Sequence, residues 1–175
     1  MKARLRQYMI LVVLLGLMPH SEKEKLKNKY KPLVFKLGDG RFDLFVKKIF
    51  RTAISPKMKE DVFAVHDFKN EHNLRVRVFR KEHIVLLKAV TERDRDFEDI
   101  LTIIRKEKNF DWQYFIDEVL WQTERGDSWA LFDAEKMLRE LKKYVFVEEK
   151  YLKRLYQARE KMGDRQSDNA NALEK

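Results

Sequence analysis

Lys88, Asp96 and Asp99 stand out in this 175-residue chain because their types and spacing could do chemistry. They fall within the run from His83 to Ile100, which holds Arg93, Asp94, Arg95 and Glu98 as well. On a helix, Lys88 lies among Ile84, Leu87 and Val90, all apolar. A lysine at the edge of a buried stripe must either snorkel to water or find a partner. Asp96 and Asp99, three apart, share one helical face, and Arg95 can pair with Asp99 four residues on. Residue types alone also allow a structural account, in which Asp94 or Asp96 caps a helix and the remaining charges are solvated.

Asp43 is the second candidate. It sits between Phe42 and Leu44 in Arg41-Phe42-Asp43-Leu44-Phe45-Val46. On a strand, alternation puts Asp43 on the face opposite Phe42 and Leu44, together with Arg41 and Phe45. A carboxylate there can act as a base or hold a metal, and oxygen ligands suit magnesium. One carboxylate does not make a metal site, and an exposed aspartate of a hairpin is the plainer account.

Several chemistries are disfavoured. The chain has no cysteine, which removes disulfides, thiolate metal sites and thiol nucleophiles. His20, His66, His72 and His83 lack the spacing of a zinc site. No nucleophile elbow supports a Ser/His/Asp triad, and five glycines form no phosphate loop. Trp112, Trp121 and Trp129, with Phe110, Tyr114 and Phe115, read most simply as helical core.

The elements that must position these groups follow from periodicity. Residues 32–37 and 41–46 read as two strands joined by the turn Gly38-Asp39-Gly40. Ser55-Pro56 marks a helix start, with Ser as N-cap and Pro at the first helical position. Residues 62–68 and 74–79 read as strands, the second alternating apolar residues with Arg75 and Arg77. Beyond residue 80 the period becomes helical, with helices expected at about 81–91, 94–107, 111–124, 128–143 and 147–162. Asp111 and Asp127 resemble N-caps. Strands followed by helices imply an α+β fold: a small mixed or antiparallel sheet in residues 1–80, a helical bundle lobe in 81–162, and a polar, disordered tail in 163–175.

Charge divides unevenly along this plan. Residues 1–60 hold 15 Lys and Arg against 5 Asp and Glu, whereas residues 61–175 hold 23 against 24. A localised basic surface attracts nucleic acid, nucleotide phosphates or an acidic partner. A charged fraction of 38% without cysteine fits a heat-adapted protein in a reducing cytosol. The apolar run Tyr8–Met18 after a basic start imitates a signal peptide. It is too short for a membrane span and has no small-residue cleavage site, so a buried helix over residues 3–17, closed by Gly16 and Pro19, is expected.

In their order, these segments resemble the nucleotidyltransferase-like family related to the AbiEii toxin of archaea and bacteria. Residues 41–46 look like the strand carrying that family's third catalytic carboxylate. Ile84-Val85-Leu86-Leu87-Lys88-Ala89 looks like its apolar stretch ending in lysine. Arg93-Asp94-Arg95-Asp96-Phe97-Glu98-Asp99-Ile100 looks like its Arg/Asp motif. The resemblance covers about residues 33–125. It implies a partial nucleotidyltransferase fold with Asp43, Lys88, Asp96 and Asp99 as catalytic positions, Asp43 as a magnesium ligand, and Arg41, Arg93 and Arg95 as nucleotide contacts.

The family's Gly-Gly or Gly-Ser turn, followed by two carboxylates one residue apart, has no counterpart before Asp43. Without that pair the third carboxylate cannot hold the Mg2+ ions of nucleotide transfer. The expectation is therefore a cytoplasmic nucleotidyltransferase-fold protein, truncated or catalytically inactive, that binds nucleotide or RNA. Magnesium enters only if the enzyme is active. The competing expectation is a non-enzymatic protein-interaction module, such as one component of a toxin–antitoxin pair.

Overall fold

The computed structural model describes residues 33–37, 40–44, 48–49, 51–69, 73–91, 94–107 and 109–173. The expectations for residues 3–31, the Gly38-Asp39 turn and Arg93 lie outside them. The fold is α+β, and the chain divides between Arg80 and Lys81 into two compact units.

The first unit contains three antiparallel two-stranded ribbons. β1 (Leu33–Leu37) pairs with β2 (Gly40–Leu44), which sets Val34 opposite Asp43 and Lys36 opposite Arg41. The very short β3 (Lys48–Ile49) and β4 (Thr52–Ala53) pair next, a ribbon that periodicity over two residues cannot reveal. Helix α1 (Pro56–Glu60) starts as expected: the Met58 amide donates to Ser55 Oγ at 3.0 Å, and Pro56 stands at the helix start. β5 (Val62–Lys69) and β6 (Asn73–Phe79) form the longest ribbon. Helix α1 packs against β6, and Ile49, Met58, Val76 and Phe79 are buried. Among the described residues the strands form three antiparallel pairs, in keeping with the small antiparallel sheet structure expected here.

The second unit is helical: α2 (Lys81–Ala89), α3 (Asp94–Lys106), α4 (Trp112–Glu124), α5 (Ser128–Leu141) and α6 (Glu149–Leu173). Helix α2 packs against α3, α4 and α5, and α6 closes on α4 and α5. Glu82, His83, Val85, Leu86, Leu87 and Ala89 of α2 are all buried, as befits a helix with neighbours on several sides. Asp111 and Asp127 cap α4 and α5, accepting from the amides of Tyr114 at 2.9 Å and Ala130 at 3.4 Å. Between those helices Gly126 has φ +93°, a conformation that favours glycine.

Two expectations need correction. Helix α6 continues to Leu173, so residues 163–173 are helical where a disordered tail was expected. Gly163 is the sole glycine in that stretch and no proline follows it; one glycine costs about 1 kcal/mol, which does not by itself stop a helix. Trp129 is 55% exposed, not core. Its helix buries Ala130, Leu131, Ala134, Leu138 and Leu141, and Trp129 and Phe132 project from the other side.

Candidate functional site

The end of α2 and the first turns of α3 bring three expected site residues together. Lys88 Nζ donates to Asp96 Oδ1 at 2.9 Å and to Asp99 Oδ2 at 2.7 Å. Local sequence explains the meeting. Lys88 occupies the last turn of α2, which ends at Ala89, and α3 starts at Asp94. Asp96 and Asp99 lie on the same face of α3, so two carboxylates meet one ammonium group.

Thr91 adds a fourth group. Its Oγ1 lies 2.7 Å from the Lys88 carbonyl and also contacts Asp96 Oδ2, so one hydroxyl proton serves two acceptors. Thr91 is not among the residues that type and spacing single out. The signal that could have found it is a hydroxyl residue three positions after a helical carbonyl at a helix end, where threonine commonly bonds the backbone.

Burial grades across the cluster. The side chains of Lys88 and Asp96 are 13% and 16% exposed, and that of Asp99 is 56% exposed. Desolvation by itself would push the Lys88 ammonium toward losing its proton. The hydrogen bonds that Lys88 donates to Asp99 and Asp96, and the charges of those carboxylates, outweigh it and hold its pKa above the ordinary value of 10.5. A lysine so held stays protonated at neutral pH and does not accept protons there. It can anchor carboxylates or contribute positive charge, but with two carboxylates on one ammonium the cluster carries a net −1.

The remaining expected residues are placed differently. Asp99 accepts from Lys88, where spacing alone offered it to Arg95, and Arg95 is exposed on α3. Arg41 and Asp43 belong to β2, in the first unit, so the expected set is divided between the two units.

Magnesium fits this donor set poorly. Asp96 and Asp99 already coordinate an ammonium ion, whose charge opposes a second cation at the same oxygens. Among the described residues, no three His, Asp or Glu side chains converge as a metal centre would require. Nor is any described helix long and apolar enough to cross a membrane.

Other polar groups of the helical unit serve its packing. Glu82, 1% exposed, accepts from the Asp111 amide at 3.0 Å and so ties α2 to the start of α4. His83 Nε2 lies 3.0 Å from Tyr114 Oη, with the rings tilted at 51°. Glu135 on α5 meets Arg159 of α6 at 2.9 Å and also pairs with Arg139.

No protein-family model, curated protein or solved structure matches this chain.

Proposed function

We propose that this chain is a nucleotidyltransferase-fold protein that binds nucleotide or RNA and does not by itself complete the transfer reaction. The observation that carries the proposal is the convergence of Lys88, Asp96 and Asp99. These three positions of the AbiEii-related resemblance lie on two helices and meet at one partly open point. Lys88 acts here as a positioning residue: it holds Asp96 and Asp99 and fixes the start of α3. Phosphates then fall to Arg93 and Arg95, beside the cluster in sequence, because the cluster's own net charge is negative. Asp43 and Arg41 of β2 remain candidate positions of the first unit on the resemblance alone. A cytoplasmic location accompanies this reading.

The test is equilibrium binding of labelled ATP, GTP and a short RNA at low salt, followed by a transfer assay with Mg2+ and labelled nucleotide. Binding without transfer is expected. Transfer of label would make the protein an enzyme, and failure to bind any of the three ligands would end the proposal.

A second reading, a protein-interaction module such as a toxin–antitoxin component, draws on the exposed pair Trp129 and Phe132 of α5. Their ring centroids are 6.1 Å apart on the side of α5 turned from its buried residues. Paired exposed aromatics are common anchors of protein interfaces. Co-purification with a defined partner, lost in Trp129→Ala, would favour it over nucleotide binding.

A further inference from the structure

The β5–β6 ribbon carries an exposed aromatic ring on one strand and, on the other, an arginine with no carboxylate partner among the described residues. Val62 pairs with Phe79 and Ala64 with Val78, so a bulge leaves Phe63 with no cross-strand position. Bulges re-aim side chains, and the Phe63 side chain is 79% exposed. Val65, two residues on, is also exposed and lies opposite Arg77. Arg77 donates to the Lys59 carbonyl at 2.7 Å, which brings its guanidinium to the end of α1 next to the exposed Lys59. That bond is to a neutral carbonyl, and among the described residues no carboxylate pairs with Arg77. Arg75, by contrast, is paired with Asp67 at 2.7 Å.

The sequence charge of this unit has the same sign. The unit ending at Arg80 holds 19 Lys and Arg against 8 Asp and Glu, while the helical unit holds 19 against 21. An apolar protein surface laid over Phe63 would desolvate Arg77 without neutralising it, at a cost. A nucleic-acid strand supplies both complements: a flat base for the ring and phosphates for the cations.

We infer that the β5–β6 ribbon binds single-stranded nucleic acid, with a base stacked on Phe63 and phosphates met by Arg77 and Lys59. This rests on the RNA branch of the proposed function and names the surface that carries it, separate from the Lys88 cluster.

The experiment measures fluorescence anisotropy of the full chain with labelled oligouridylate and its DNA counterpart across a salt series. Binding is expected to weaken with salt. Phe63→Ser should lower affinity about five-fold or more, and Phe63→Trp should preserve it. Lys59→Ala should reduce the slope of log affinity against log salt by about one. Preference for RNA supports the surface and names the strand; equal affinity for DNA supports it as blind to the sugar. Unchanged affinity in Phe63→Ser overturns it. So does displacement of RNA by polyglutamate at equal charge concentration, which would mark a surface for acidic protein. Binding of ATP or GTP without any single strand overturns this surface and leaves the proposed function standing. Loss of RNA binding in Arg95→Ala but not in Phe63→Ser would likewise overturn the surface and place RNA on the helical lobe.

Discussion

Lys88 Nζ lies 2.9 Å from Asp96 Oδ1, and both side chains are largely withdrawn from water. One residue closes α2 and the other opens α3, so the pair fixes how one helix follows the next. Removing Asp96 leaves the desolvation of Lys88 compensated by Asp99 alone. Asp96→Ala should destabilise the protein by about 2 kcal/mol, less than the loss for a fully buried pair, because Asp99 remains and is solvated. A lower urea midpoint at unchanged m is the measurement. No change in midpoint would mean that Asp99 alone suffices.

The same lysine sets an alkaline limit. Its pKa is raised in the folded state, so its contribution to stability is fully present below the ordinary value of 10.5 and fades as pH rises through the folded value. The stability difference between the wild type and Lys88→Met should stay constant from neutral pH to about 10 and narrow above it. Urea titrations across that range provide the check, and narrowing that starts near neutral pH would contradict the assignment.

Glu82 is buried with one oxygen on the Asp111 amide. Glu82→Ala should cost about 2 kcal/mol by leaving that amide at the start of α4 without its acceptor. Glu82→Gln keeps a carbonyl oxygen and should recover much of the loss. Thermal unfolding of the two variants separates an acceptor role from a need for charge.

Glu135 links α5 to α6 through Arg159, with bonds of 2.9 and 3.0 Å to one guanidinium nitrogen. Its side chain is almost fully buried, so Glu135→Ala should cost about 2 kcal/mol. The loss should appear as faster amide exchange in α6 around its buried residues Tyr151, Leu152 and Leu155. Equal exchange in both proteins would show that apolar contacts alone hold the helix.

The sequence by itself determined the local elements. Hydrophobic period separates strands before residue 80 from helices after it, and Ser55, Asp111 and Asp127 mark their own helix starts, because a capping side chain bonds an amide only three residues away. Lys88 was legible as a lysine in need of a partner, since its apolar neighbours sit within one helical turn. Tertiary structure decided the partner: spacing offered Asp99 to Arg95, yet the packing of α3 against α2 brought Lys88 within reach of Asp96 and Asp99. It also decided the exposed side of α5. Trp129 is as apolar as the residues beside it, and only the placement of α2, α4 and α6 around that helix leaves it facing water. Period and capping act over a single turn of chain, whereas a partner or an exposed face depends on residues that are distant in sequence until the helices pack.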